Sequence, residues 1–246
     1  MCGRFVLDAT PAEVIKSFDL EEVEDFPPRF NIAPTQPILV VRHREVPKGS
    51  NRPPREALHA RWGLVPSWVK DPRDFPLLIN ARSETAETKA SFRAAMKRGR
   101  ILVPASGFYE WQKLPGGAKQ PFWVRPRGGG MVTFAGLLEE AELRTAAIMT
   151  VDAAGPFREI HERMPVVVER NDFDRWLDPS VAPAAVRDIP RTPDDAFWEA
   201  IPVSDAVNKV RNQGPELIEP DDSVTDGPPP KREDATLDEP AQGSLF

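Results

Sequence analysis

The stretch Ile101-Leu102-Val103-Pro104-Ala105-Ser106-Gly107-Phe108-Tyr109-Glu110-Trp111 decides the fold. It contains two short apolar or alternating runs separated by Pro and Gly, which is the punctuation of β-strands. The same pattern recurs outward along the chain at residues 38–41, 59–64, 77–79, 122–124, 132–137, 146–151 and 165–168. Helical signals are fewer. Thr10-Pro11-Ala12-Glu13 reads as an N-cap, a Pro at N1 and a Glu at N3, followed by the apolar spacing of Val14, Ile15 and Phe18. Further helical patterns cover 88–97, closed by Gly99, and 172–177 after Asn171 as a cap. Strands outnumber helices and βαβ alternation is missing. The expectation is an α+β fold of mostly antiparallel, twisted or barrel-like sheets with peripheral helices.

The 246 residues suit one large domain with an appendage, and 40% hydrophobic content suffices for a sizeable core. No run reaches the roughly 18 apolar residues of a membrane span, and no signal peptide is visible at residues 1–5. A soluble, cytoplasmic monomer is expected. One cysteine excludes an internal disulfide, and His43, His59 and His161 have no zinc-like spacing, so neither a metal nor a cofactor is expected. The net charge of -6 is unevenly distributed. Residues 215–246 carry nine acids and two bases, which leaves 29 acids and 30 bases on residues 1–214. The near-neutral body leaves room for a local basic groove. The Pro-, Asp- and Glu-rich segment 215–246 is predicted to be a disordered tail.

The single cysteine, Cys2, follows the initiator Met. Removal of Met1 would give a 1,2-aminothiol. An α-amine titrates near 7.7 to 8.0, so about a quarter is unprotonated at pH 7.4, against about a thousandth of a lysine. Such an amine attacks an aldehyde to form an imine, and the adjacent thiolate closes on the imine carbon to give a five-membered thiazolidine. The alternative is a small buried Cys that packs as a hydrophobe.

Five stretches occur in order: Met1-Cys2-Gly3-Arg4-Phe5, Arg61-Trp62-Gly63-Leu64-Val65-Pro66-Ser67-Trp68, Ile79-Asn80-Ala81-Arg82-Ser83-Glu84-Thr85, Gly107-Phe108-Tyr109-Glu110-Trp111 and His161-Glu162-Arg163-Met164-Pro165. Together, over residues 1 to about 210, they resemble the SRAP family, the SOS response-associated peptidases, which process abasic sites and crosslink to DNA. The resemblance implies that Cys2 attacks the ring-opened aldehyde of an abasic site in single-stranded DNA and ends as a thiazolidine crosslink that shields the lesion during the DNA damage response. It implies that Glu110 shuttles protons and takes part in autocatalytic release of Met1, that His161 assists sugar ring opening, and that Asn80 holds the Cys2 amine or thiol. A lyase activity is a further implication. A carboxyl beside Phe108, Tyr109 and Trp111 is expected to have a raised pKa, and an imidazole titrates in a useful range.

By the same resemblance Arg4, Arg82 and Arg163 bind phosphates flanking the lesion, where guanidinium forks suit phosphate oxygens. Trp62 and Trp68 would stack on unpaired bases, with core packing the alternative for either ring, and Thr150 would line the DNA groove. Departures from the family pattern are Glu162 for Asp, Ser106 for Asp and Leu138 for Trp; none falls on a catalytic position. The final Gln242-Gly243-Ser244-Leu245-Phe246 resembles the peptides that dock on the bacterial sliding clamp, with Gly243 where Leu is preferred. Gln242, Leu245 and Phe246 would make that contact. Two other functions fit parts of the pattern. An N-terminal-nucleophile glutamine amidotransferase also begins Met-Cys-Gly but would not explain GFYEW and HERMP; a non-catalytic single-strand-binding module would bind only noncovalently.

Overall fold

A computed structural model describes residues 2–47, 49–189 and 195–223. The stretch around residue 106 is where the chain passes from one sheet to another. β6 (Arg100–Ala105) is buried along its whole length and belongs to a seven-stranded sheet, whereas β7 (Gly107–Lys113) belongs to a five-stranded one. Gly107 permits the passage by close approach: a Cβ there would lie 2.3 Å from the carbonyl oxygen of Val124 and 2.5 Å from the Trp123 ring.

The five-stranded sheet runs β12 (Trp198–Pro202), β8 (Lys119–Pro126), β7, β1 (Phe5–Leu7), β2 (Arg29–Ile32). The larger sheet runs β11 (Arg163–Pro165), β10 (Arg144–Asp152), β4 (Arg55–Trp62), β3 (Pro37–His43), β6, β9 (Val132–Glu140), and β9 pairs again with β10, which closes it on itself. β5 (Asn80–Arg82) adds to the far half of β10. The barrel-like expectation holds. The pairings are less purely antiparallel than expected, because β10 runs parallel to both β4 and β5. The long connection from β4 to β5 returns the chain to the same edge, and no local pattern encodes that choice.

Apolar side chains of both sheets form the main core, in which Phe5 and Phe108 are joined by Trp62, Phe134 and Trp176. Alternation along β1 and β7 sends Val6 and Tyr109 the other way, to a second cluster with Trp123, Val203, Val207 and Leu217. Leu217 lies three residues past the expected boundary at residue 214. It is 1% exposed, its carbonyl accepts a hydrogen bond from the Tyr109 hydroxyl at 3.4 Å, and Pro220 bridges to Val203. One well-placed apolar residue anchors a segment whose composition alone reads as disordered. Residues 224–246, including Gln242, Leu245 and Phe246, lie outside the described residues.

The capping box at Thr10 and Glu13 forms as expected, opening α1 (Pro11–Phe18). Two helices are shorter than expected. α2 (Arg93–Arg98) begins after a series of turns, because Thr88 and its neighbours satisfy their amides locally; Gly99 closes it as anticipated. α3 (Phe173–Leu177) follows a 3-10 turn at Arg170–Asp172 in which Asn171 is not the cap. The strand expected at 77–79 is an isolated bridge at Leu78, with regular pairing from Asn80, and β11 ends at Pro165. β1, β2 and β12 were not legible as strands. Among the described residues no helix is long and apolar enough to cross a membrane.

Candidate active site

β1 lies antiparallel to β7, with Phe5 opposite Phe108 and the Tyr109 amide donating to the Arg4 carbonyl at 2.9 Å. Cys2 lies three residues before β1, near enough to Glu110 for that side chain's charge to act on its thiol. Cys2 is fully buried in the core cluster that contains Phe5 and Phe108, its Sγ 3.9 Å from the Arg4 carbonyl oxygen. Burial pushes the thiol well above its ordinary pKa, and the Glu110 charge adds to the rise.

Glu110 is 2% exposed, and burial pushes its carboxyl up to about 7. The acid is therefore poised near neutrality, as the aromatic flank of the motif suggested. His161 Nδ1 lies 4.0 Å from Glu110 Oε1. That same Nδ1 lies 2.9 Å from the Arg163 amide and 3.2 Å from the Arg163 carbonyl oxygen, so the backbone of Arg163 holds the ring in place. Burial lowers the His161 pKa, which disfavours the charged imidazolium. Asn80 sits at the start of β5, opposite Ile148, and its Oδ1 is buried with no hydrogen-bond partner among the described residues. A buried, unused acceptor is costly unless something fills it, and an amine is a suitable donor.

The expected DNA-contacting residues divide. Arg82 is exposed at the end of β5, and Trp68 is 59% exposed, held edge-on to Phe75 at 5.6 Å. Four others are engaged within the protein. Trp62 is fully buried, donates from Nε1 to the Ile79 carbonyl at 2.9 Å and meets Phe5 edge-on at 5.2 Å; of its two alternatives, core packing is the one realised. Thr150 is 1% exposed, and its carbonyl accepts from Ser83 and Arg163, so it does not line an open groove. Arg163 is 5% exposed and donates to Glu84 at 2.9 and 3.0 Å, to Asp152 and to the Thr150 carbonyl. Its fork is filled by carboxylates rather than presented to phosphate. Arg4 donates to Asn31 Oδ1 and to the Val207 carbonyl, both at 2.8 Å.

Two contributors escaped the sequence reading. Asn31, fully buried on β2, ties Arg4 to the loop after Val207. Gln112 donates to the Glu159 carbonyl at 3.3 Å and so links the strand of Glu110 to the turn that leads into His161. Neither has a local signal, since a lone amide in a strand-like run looks like any surface residue. Among the described residues no group of three His, Cys, Asp or Glu is placed to hold a metal.

The fold is a two-sheet α+β architecture that sets a buried near-terminal thiol, a carboxyl titrating near 7 and an imidazole close together. The model of the SOS response associated peptidase (SRAP) family matches residues 1–210, and the chain belongs to that family. It is similar to the abasic site processing protein YoqW of Bacillus subtilis, 34% identical over 89% of this chain and 99% of that one. The abasic site processing protein YedK of Escherichia coli is 32% identical over 89% of this chain and 100% of its own. Abasic site processing protein HMCES of Gallus gallus is 34% identical, with 78% of this chain and 66% of that one covered. A phage-related protein of Bordetella bronchiseptica superposes with a TM-score of 0.66 at 30% identity, covering 82% of this chain and 94% of its own. A Bacteroides thetaiotaomicron protein shares the fold, with a TM-score of 0.74 at 20% identity over 89% of this chain and 100% of that one.

Proposed function

We propose that this protein processes abasic sites in single-stranded DNA by forming a thiazolidine crosslink through Cys2 once Met1 is removed. The observation that carries the reading is the convergence of Cys2, Glu110 and His161, brought together by the β1–β7 register and the turn before β11. In this mechanism the Cys2 amine adds to C1 of the ring-opened sugar, and the carbinolamine loses its hydroxyl as water with a proton from Glu110. The thiol then gives its proton to the Glu110 carboxylate and the sulfur adds to the imine carbon. Aldehyde and aminothiol thus yield thiazolidine and one water, with Glu110 restored. A carboxyl that titrates at about 7 is available in both states near neutrality, as the two proton transfers require. His161 assists proton transfer to the sugar ring oxygen as the furanose opens. Glu110 also serves the release of Met1.

The test is intact mass spectrometry and a denaturing gel of the protein with an abasic oligonucleotide. The expected adduct has the mass of protein without Met1, plus oligonucleotide, minus water. An adduct mapped to a lysine, or glutaminase activity with no adduct, overturns the reading.

We further propose that the terminal Gln242-Gly243-Ser244-Leu245-Phe246 docks on the bacterial sliding clamp. It is supported by an apolar pair at the end of an acidic segment. Clamp affinity equal for the full chain and one ending at residue 241 overturns it.

A further inference from the structure

Four exposed cations lie beyond the catalytic cluster without an evident role in the fold. Lys113 and Lys119 end the β7–β8 hairpin directly opposite one another, and both are exposed. Like charges opposed across two strands destabilise the pair, so the hairpin gains nothing from this choice. Trp111, on the same face as Lys113, donates from Nε1 to Asn208 Oδ1 at 2.8 Å, which joins the hairpin to the loop carrying exposed Lys209 and Arg211.

That loop is rigidly built. Asn31 Nδ2 donates to the carbonyls of Val207, Lys209 and Asn212 at 3.2, 3.3 and 3.0 Å, while its Oδ1 accepts from Arg4. A satisfied buried polar network of this kind fixes one conformation. None of the four cationic side chains has a hydrogen bond or ion pair among the described residues. Asp205 and Glu216 flank the loop in sequence without pairing to any of them. The near-neutral body does not force such a cluster by composition.

The position is informative. Lys113 lies two residues beyond Trp111 on β7, near enough to His161 for its charge to help lower the pKa of that imidazole. The cations are spread along an edge rather than converging on a point, which suits a polyanion more than a small anion. We propose that Lys113, Lys119, Lys209 and Arg211 contact the phosphodiester backbone of the single strand flanking the lesion. The proposal rests on the abasic-site reading for its ligand, and adds to it the side of the molecule along which the strand leaves Cys2.

The experiment is fluorescence anisotropy with an undamaged single-stranded oligonucleotide across a salt series, which requires no covalent chemistry. Each lost phosphate contact lowers the slope of log K against log salt by about 0.7 for single strands. The variant Lys113→Ala/Lys209→Ala/Arg211→Ala is expected to lose about 2 from that slope and so to bind about a hundredfold more weakly at 0.1 M salt. Lys113→Glu alone is expected to weaken binding further than Lys113→Ala, and Lys16→Ala on α1 serves as the control. Slopes and affinities equal to those of the unsubstituted protein overturn the proposal. If the unsubstituted protein binds with the expected slope but forms no crosslink, the crosslinking reading falls and the backbone contact stands.

Discussion

His161 Nδ1 lies 4.0 Å from Glu110 Oε1, and the same nitrogen accepts the Arg163 amide at 2.9 Å. The Arg163 backbone therefore holds the imidazole beside a carboxyl that titrates near 7. Two groups whose environments displace their pKa values in opposite charge-disfavouring directions form an acid–base pair suited to neutral pH.

Crosslinking rate should therefore show a bell-shaped pH dependence. Because the acid, Glu110 at about 7, titrates below the amine at 7.7 to 8.0, the rate should rise to a break near 7 and fall above about 8. Glu110→Gln should slow the reaction at least about a hundredfold and remove the limb near 7. Single-turnover rates from pH 5.5 to 9 measure both, and an unchanged limb in the variant excludes Glu110 as the acid.

The same shift makes a stability statement. The folded-state pKa of Glu110 is raised from 4.5 to about 7, so its contribution is fully present below about 4.5 and is lost as pH rises through 7. The loss is on the order of 3 kcal/mol at pH 8. Glu110→Gln should accordingly raise the melting temperature at pH 8 and have a much smaller effect at pH 5. An equal change at both values contradicts the burial-driven shift.

Cys2→Ala and Cys2→Ser should both abolish the thiazolidine and leave at most an imine-derived species that borohydride traps. Both are read on denaturing gels. A heat-stable adduct of Cys2→Ala would place the attachment elsewhere.

The two tryptophans should separate. Trp62→Ala removes a fully buried ring and should cost about 3–5 kcal/mol in unfolding free energy. Trp68→Ala, at a ring 59% exposed, should change stability by less than about 0.5 kcal/mol and instead weaken single-strand binding. Denaturant unfolding and anisotropy distinguish the two.

A chain ending at residue 214 should lose about 1.5–3 kcal/mol through exposure of the Leu217 pocket, whereas one ending at 223 should match the full chain. Equal stability of all three returns the boundary to residue 214.

Much was legible in the sequence because it is local chemistry. Runs broken by Pro and Gly show strands wherever they occur, Thr10 and Glu13 cap a helix within one turn, and the aminothiol of Cys2 follows from its position alone. The aromatic neighbours of Glu110 even indicated the direction of its pKa shift. The tertiary structure alone decided what depends on residues distant in the chain. It buried Trp62 and Thr150, filled the Arg163 fork with Glu84 and Asp152, ran β10 parallel to β4 and β5, and used Leu217 to fasten an acidic segment. Burial and register are long-range properties: a side chain's solvation and partners are set by strands a hundred residues away, and no window of sequence around it contains them.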